Sequence, residues 1–328
     1  MNNNVLPKEL LSVAKTVERT LRARTHPCLW PGCDSKAIRS HSQQKNGPLQ
    51  AIAEKGEVYA FKADIAHILA NNGPVFSRVA IRRASTFPGF CENHDNALFL
   101  PIEQEALKAG SKDQADLFFF RAYTYEYTRK MRSVDWCCTF AEEGDKQQIP
   151  LDYSPALNYC EENLPFLQIE KPFYIGRFFF DPTFKEDLCF KWRTIPGNLG
   201  ASVSCCFPPL DDKSLIEYAN AHMNAPLPMV TFTLVPQTNQ THAILGWHRS
   251  FSNLAQPFAD RLMSHDLSAL ECFINECVFT KTEDFCLNPS LWESTPESVK
   301  RQVCHAVRHE HFRGPISEIP AVIRIEQA

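Results

Sequence analysis

Apolar and polar residues alternate with helical spacing at the amino-terminal end of the chain. Over residues 8–24, the apolar positions fall on one face of a helix with 3.6 residues per turn, and the charged positions fall largely elsewhere. The apolar face consists of Leu10, Ala14, Val17 and Leu21. Proline disfavours helix in the residue before it, so the pattern predicts that this amphipathic helix ends by His26-Pro27.

The middle of the chain predicts further helices. Residues 112–132 place aromatic and aliphatic side chains at helical spacing, which is more typical of a packed core than of a cofactor site. Residues 141–153 are mainly polar and predict a loop. A second helix is predicted over residues 153–164.

The pattern then changes to short apolar runs separated by Pro, Gly, Asn and Asp, which predict strands. The predicted strands are residues 173–180, 188–192, 201–207, 229–235 and 242–247. The polar stretch 237–241 predicts a hairpin between the last two. Helical spacing returns at residues 267–278 and 296–308. The fold class predicted is therefore α+β, with a mainly antiparallel sheet followed by carboxyl-terminal helices.

Composition supports a folded, reduced protein. The 328 residues are 44% apolar and 22% charged, as in ordinary globular proteins. No run of about 18 apolar residues occurs, and the amino terminus lacks the apolar stretch of a signal peptide, so we predict a cytoplasmic protein that does not cross a membrane. The thirteen cysteines are an odd number, scattered as two adjacent pairs and nine single residues, which is not the pattern of a disulfide framework.

Charge is unevenly distributed along the chain. Residues 1–100 contain 13 Lys and Arg against 8 Asp and Glu, whereas the remainder contains 21 against 30. The basic amino-terminal region favours a polyanionic partner, which would be DNA or RNA, although a solvated basic surface explains the same imbalance. Within this region, Arg78, Arg82 and Arg83 interleave with apolar residues, as expected either for an edge that faces nucleic acid or for a strand with a solvated face.

Four residues in the basic region have the chemistry of a zinc site. Cys28 and Cys33 flank the turn-forming Pro31-Gly32, and Cys91 and His94 are three residues apart, where one helical face presents both. Thiolates and imidazole are the usual ligands of tetrahedral zinc, and four protein ligands make a structural site. The competing interpretation is that the three cysteines are unrelated core residues and the histidine is there by chance.

The order of these residues resembles the zinc-containing class of HNH-type endonucleases. A Cys pair is followed by Ser40-His41 at the end of a short predicted strand, then by Cys91 and His94, then by Asp95. The resemblance covers about residues 26–105 and implies a treble-clef or ββα-metal module. We therefore predict two parts, a zinc-binding module at residues 1–110 and an α+β part at residues 111–328 whose role the resemblance does not cover.

The resemblance also implies a catalytic site of Ser40, His41 and Asp95. His41 would be the general base, and Asp95 would help hold a catalytic Mg²⁺ or Mn²⁺. Ser40 stands where the family often has a metal-binding Asp. Without the resemblance, His41 is equally well a polar residue that hydrogen-bonds a neighbouring carbonyl, and Asp95 an ordinary carboxylate in the first turn of a helix.

Two functions follow as hypotheses. One is a metal-dependent nucleic-acid phosphodiesterase, an HNH-like endonuclease of the kind that serves bacterial defence or mobile elements. The other is a non-catalytic, zinc-stabilised protein that binds nucleic acid or protein through a degenerate HNH site. Ser40 bears on the choice between these hypotheses. A hydroxyl is a poorer ligand for Mg²⁺ than a carboxylate, so Ser40 in place of Asp favours the non-catalytic one.

Overall fold

The computed structural model describes residues 8–61, 76–312 and 319–325. These residues form a mixture of helices and antiparallel sheet that ends in helices, which confirms the predicted α+β class at this level. Residues 62–75, which belong to the basic amino-terminal region of residues 1–100, lie outside the described residues. None of the helices in the described part of the chain combines the length and apolar character needed to span a membrane.

The predicted amino-terminal helix is present as α1, Lys8–Ala23. It buries Val13, Ala14 and Val17 and packs on the long central helix. The other helices of nine or more residues in the described part are α2 Glu92–Glu103, α3 Lys112–Lys146, α4 Ser154–Glu170, α5 Asp212–Ala221, α6 Ser252–Asp260, α7 Leu267–Thr280 and α8 Glu297–Phe312.

Nine strands in the described residues form two sheets. A two-stranded sheet pairs β1 Arg39–His41 with β4 Thr86–Pro88. A seven-stranded antiparallel sheet has the order β3-β2-β9-β6-β7-β8-β5. Its strands are β2 Glu57–Phe61, β3 Phe76–Ala80, β5 Leu188–Pro196, β6 Ala201–Phe207, β7 Val230–Pro236, β8 Gln240–His248 and β9 Phe285–Leu287.

The central strands of the large sheet are buried on both faces. Alternate residues of β6 enter different hydrophobic clusters, with Val203 on the side of the carboxyl-terminal helices and Cys206 on the side of α3. The predicted hairpin is confirmed, because β7 and β8 pair in register from Val230↔Trp247 to Pro236↔Thr241. Apolar residues therefore run almost continuously through these strands.

Two predictions about the central region are wrong. Helix α3 continues to Lys146 through the start of the predicted loop, because Val134, Thr139 and Ala141 are buried on it. Residues 173–180 are helical and form no strand, as Lys171–Gly176 and Arg177–Phe180. Their aromatic side chains pack on α3 and override the preference of such residues for strands.

The large sheet contains strands from before and after residue 110, the predicted boundary between the two parts. Strands β2 and β3 belong to the predicted zinc-binding module, and β2 pairs with β9 near the carboxyl end through Tyr59↔Leu287 and Ala60↔Cys286. The division into residues 1–110 and 111–328 stays a prediction. In the structure, both parts contribute to one sheet.

A buried carboxylate links the small sheet to the large one. Asp284, directly before β9, accepts hydrogen bonds from the hydroxyls of Ser42 and Ser85, which follow β1 and precede β4. The Gln43 amide also donates to the Asp284 carbonyl at 2.9 Å. Burial raises the pKa of Asp284 to about 7, the two hydroxyls oppose the shift, and the nearby Glu283 reinforces it.

This carboxylate predicts a pH-dependent stability. Between the pKa of the unfolded chain, about 4, and that of the folded protein, about 7, the folded carboxyl keeps a proton that the unfolded one loses. Its stabilising contribution is therefore complete below pH 4 and is lost as pH rises to 7, by up to about 1.4 kcal/mol per pH unit. Asp284→Asn removes this slope.

The measurement is urea unfolding of both proteins from pH 4.5 to 8. The unfolding free energy of Asp284→Asn minus that of wild type should increase up to pH 7 and then level off. The slope is diagnostic here, because the substitution also changes the hydrogen bonds by a constant amount. Parallel curves for the two proteins would contradict the assignment.

Candidate metal centre and adjoining acid–base residues

The structure brings the four predicted zinc ligands together. The ligand atoms of Cys28, Cys33, Cys91 and His94 all lie within 4.8 Å of one another. Individual separations are 3.5 Å from Cys28 Sγ to His94 Nδ1, 3.4 Å from Cys91 Sγ to the same nitrogen, and 4.0 Å between Cys33 Sγ and Cys91 Sγ. Tetrahedral zinc with ordinary bond lengths places its ligands about 3.3–3.8 Å apart. This group could bind a metal such as zinc.

The first two ligands sit on a tight reversal of the chain. Its ends are joined by a hydrogen bond of 2.9 Å from the Cys28 amide to the Ser35 carbonyl. Within it, the Cys33 amide donates to the Trp30 carbonyl at 3.0 Å. Gly32 has a φ of +77°, in the left-handed region that glycine adopts without strain. The Pro31-Gly32 turn thus allows both thiols to face one point.

The other two ligands lie at the start of α2. Cys91 precedes the first helical residue, and its carbonyl accepts from the Asp95 amide at 2.9 Å, so His94 follows within the same turn. The Cys91 amide also donates to Cys28 Sγ at 3.2 Å. Backbone N–H groups at a helix start favour negative charge, and this contact stabilises a thiolate at Cys28.

Trp30 completes the centre and was not predicted from the sequence. Its ring stacks on the His94 imidazole with centroids 4.3 Å apart and planes 11° from parallel. The Trp30 amide donates to Cys28 Sγ at 3.4 Å. The stacking fixes the orientation of the imidazole, as contacts around metal ligands commonly do. The only indication of this role in the sequence is the position of Trp30 between Cys28 and Cys33.

The two thiols of the turn differ in acidity. Burial raises the pKa of the Cys28 thiol to about 11, although the Cys91 and Trp30 amides oppose the shift. Hydrogen bonds from Ser35 lower the pKa of Cys33. Metal ligands must be thiolates, so an ion that binds here has to displace a proton from Cys28.

Ser40 and Asp95 are hydrogen-bonded to each other. Ser40 is buried on β1, and its hydroxyl also accepts from the Phe90 amide at 3.2 Å. Burial raises the pKa of Asp95, while the hydrogen bond from Ser40 and the nearby Arg121 oppose the shift and Glu103 reinforces it. These contacts tie β1 to the start of α2. The catalytic roles of Ser40 and Asp95 stay predictions.

His41 follows Ser40 on β1, and successive strand residues point to opposite faces. Burial lowers the pKa of His41, Lys45 and Arg121 reinforce the shift, and a hydrogen bond with the Ile81 backbone opposes it. Its Nε2 is buried without a hydrogen-bond partner among the described residues. The imidazole is therefore neutral at pH 7, as a general base must be.

A partly buried ion pair lies near both of these groups. Arg121 on α3 is 3% exposed, binds Glu103 at 2.5 Å and covers the Phe99 ring at 4.0 Å. Arg121 and Glu103 influence both His41 and Asp95 electrostatically, so the two predicted catalytic residues share one charged environment. The sequence signal for Arg121 was a single cation directly after the aromatic run 118–120.

The three interleaved arginines have different surroundings. Arg78 on β3 forms an ion pair with Glu293 at the other end of the chain and so has a structural partner. Arg82 and Arg83 are exposed in the turn that directly follows Ile81, which contacts His41. Among residues 8–61, 76–312 and 319–325, no ion pair involves Arg82 or Arg83. Two exposed cations therefore follow directly, along the chain, a residue that contacts His41.

Comparison of the chain with protein-family models, with curated proteins and with solved structures gave no match. The functional interpretation therefore depends on the geometry of the site itself.

Proposed function

We propose that this protein is a metal-dependent nucleic-acid phosphodiesterase in which His41 is the general base. The observation that carries the proposal is a neutral, buried imidazole whose Nε2 has no hydrogen-bond partner among the described residues, in contact with Ile81, which the exposed cations Arg82 and Arg83 directly follow. A neutral imidazole can accept a proton from water, and adjacent arginines bind phosphate. The resemblance of the metal-ligand order to HNH-type endonucleases supports the same chemistry.

The four metal ligands have a structural role in this proposal. Zinc bound by three thiolates and one imidazole has no open position for substrate, so it fixes the Cys28–Cys33 turn against the start of α2. That attachment holds Asp95, one residue after His94, beside Ser40 on β1. Asp95 would supply a carboxylate oxygen to a catalytic Mg²⁺ or Mn²⁺, which neutralises charge on the scissile phosphate.

Nuclease assays test the proposal directly. The purified protein is incubated with supercoiled DNA, single-stranded DNA and RNA, each with added Mg²⁺, with added Mn²⁺ or with neither. Cleavage of at least one substrate that requires the added cation is the expected result. Zinc analysis of the same preparation establishes whether the metal centre is filled. A preparation with one zinc per chain that cleaves nothing under any of these conditions would overturn the proposal.

The hydrogen bond between Ser40 and Asp95 favours a second candidate. A carboxylate that is half-buried, raised in pKa and bound by a hydroxyl is a weaker ligand for Mg²⁺ than a free one. In this case the module is a zinc-stabilised platform that binds nucleic acid without cleaving it. Salt-dependent binding without cleavage would distinguish this candidate from the phosphodiesterase.

Both candidates predict a role for the two exposed arginines. Arg82→Ala/Arg83→Ala should weaken binding of a DNA or RNA oligonucleotide and make it less dependent on salt. Each lost phosphate contact lowers the slope of log K against log salt by about 0.7–0.9, so loss of two contacts lowers it by about 1.4–1.8. Fluorescence anisotropy in a salt titration without added Mg²⁺ or Mn²⁺ measures this slope.

Lys213→Ala provides the matched control, because Lys213 is an exposed cation on α5, outside the basic region. It should leave the slope unchanged. Equal slopes for wild type and the Arg82/Arg83 variant would place the nucleic-acid contact elsewhere.

A further inference from the structure

Two cysteines from neighbouring helices bring their thiols together away from the metal centre. Cys138 lies on α3 and Cys160 on α4, and these two helices pack against each other. The two sulfur atoms are 2.9 Å apart. A disulfide bond needs sulfur atoms at about 2.05 Å, so a further approach of about 0.9 Å would join them.

The Cys160 thiol is held in this position by its surroundings. It is 4% exposed and belongs to the hydrophobic cluster that includes the aromatic residues of α3. Its S–H donates to the Val134 carbonyl at 3.5 Å, while the Cys138 S–H donates to its sulfur. The Cys160 sulfur therefore faces Cys138 before any reaction, and such proximity makes a reaction between two groups efficient.

The two thiols differ in their access to a small oxidant. Cys138 is half-buried, whereas Cys160 is buried. Burial raises the pKa of Cys160 to about 12, and the contact with Cys138 reinforces the shift. The thiolate is the form of cysteine that attacks an oxidant, so Cys160 is a poor first nucleophile. An oxidant therefore meets Cys138 first, and Cys160 is placed to react second.

The ligand set of the metal centre has no counterpart at this pair. In that centre, Cys33 and Cys91 approach to 4.0 Å beside a third cysteine and a histidine. Within residues 8–61, 76–312 and 319–325, Cys138 and Cys160 belong to no such group of three or more metal-binding side chains. Two thiols supply half the ligands of a structural zinc, and the chemistry that they share is oxidation to a disulfide.

We propose that Cys138 and Cys160 are a modification site at which a peroxide forms a reversible disulfide between α3 and α4. The Cys138 thiolate attacks one oxygen of hydrogen peroxide and the O–O bond breaks. The products are a sulfenic acid and hydroxide, which takes up the proton that the thiol lost and becomes water.

The second step forms the disulfide. The Cys160 sulfur attacks the Cys138 sulfur, the S–O bond breaks, and the proton of Cys160 leaves with the hydroxide as a second water. The two thiols together lose two electrons, and one peroxide is reduced to two waters. A dithiol reductant reverses the modification by thiol–disulfide exchange. This inference does not depend on cleavage of nucleic acid.

Peptide mapping of the full chain tests the proposal. Reduced protein is treated with hydrogen peroxide, its free thiols are alkylated, and trypsin then cuts after Lys146, between the two cysteines. The expected product is a cross-linked pair of peptides 133–146 and 147–177, lighter by about 2 Da than the two peptides together. Dithiothreitol added before alkylation should abolish this product.

Variants identify the two sulfur atoms. Cys138→Ser and Cys160→Ser should each lose the cross-linked product. Cys137→Ser is the matched control, because Cys137 is the half-buried neighbour of Cys138 on the same helix, and it should form the cross-link as wild type does. Fragmentation of the wild-type product between residues 137 and 138 gives the same assignment without any substitution.

The exposed Cys272 reports that the oxidant has acted on the protein. Wild-type protein in which Cys272 is oxidised while Cys138 and Cys160 both remain free thiols would overturn the proposal. A cross-link from Cys160 to Cys137 would also overturn it, as would oxidation of Cys138 to a sulfinic acid with Cys160 still a thiol.

Discussion

Cys91→Ser should abolish the binding of zinc and lower the melting temperature by about 8 °C or more. Cys91 contacts two other ligands of the centre, Cys33 at 4.0 Å and His94 at 3.4 Å, so its loss leaves an incomplete site. Zinc that binds only the folded protein stabilises it by about 4 kcal/mol when its concentration is 1,000 times its Kd. For a chain of this size, 1 kcal/mol corresponds to roughly 2 °C.

The effect should extend beyond the centre itself. Cys91 also precedes α2, and its amide is a donor to the buried Cys28 sulfur. Without the metal, the Cys28–Cys33 turn loses its attachment to α2, and Asp95 loses its fixed position beside Ser40. We therefore expect the variant to lose order around residues 26–41 in hydrogen exchange, while the seven-stranded sheet stays protected.

Elemental analysis measures the zinc content of each variant, and thermal unfolding measures its melting temperature. Cys286→Ser is the matched control, since Cys286 is a buried cysteine on β9 outside the metal centre. It should retain one zinc per chain, although placing a hydroxyl in an apolar cluster lowers its stability modestly. Wild-type protein with well under one zinc per chain, or a Cys91→Ser variant as stable as Cys286→Ser, would refute a structural zinc.

The metal ligands could be predicted from the sequence because the geometry of each ligand pair depends on residues that are close together in the chain. A turn of Pro31-Gly32 fixes the first pair, and three-residue spacing at a helix start fixes the second. Only the meeting of the two pairs is non-local, and the shared chemistry of the ligands supplies that link. Strands β6, β7 and β8 could also be predicted from the sequence. Each is a short apolar run with clear ends that lies in a local hairpin or next to one.

Other features depend on contacts between distant residues. The run 173–180 has the composition of a strand, but Tyr174 and Phe178 pack their rings on Tyr123 and Phe120 of α3, and the segment is helical. The pairing of β2 with β9 joins residues more than 200 positions apart. No local pattern specifies such a pairing, because either strand could pair with any free edge.

The acid–base residues fall between these cases. Ser40, His41 and Asp95 were found by their order relative to the metal ligands, whereas their partners were not. The hydrogen bond of Ser40 with Asp95 depends on how α2 lies against β1, and Arg121 approaches from a third element. The sequence therefore predicted the residues of the candidate site, and the structure was needed to describe their electrostatic environment.

His41→Gln should lower the rate of nucleic-acid cleavage by about 10²–10⁴-fold, the usual contribution of a general base. Glutamine can still hydrogen-bond to the Ile81 backbone, but its amide cannot take a proton from water at neutral pH. Because His41 is not a ligand of the metal centre, the variant should keep its zinc and its melting temperature. Affinity for the substrate, measured without added Mg²⁺ or Mn²⁺, should change little, since Arg82 and Arg83 remain.

The matched control for this loss is His222→Gln, because His222 is exposed directly after α5 and its imidazole contacts Tyr218 of that helix. Its cleavage rate should equal that of wild type. The pH profile adds an independent test: wild-type activity should remain high down to a pH below 6.5, since burial lowers the pKa of His41. A His41→Gln variant that cleaves at the wild-type rate would remove His41 from the reaction and assign the general base to another residue.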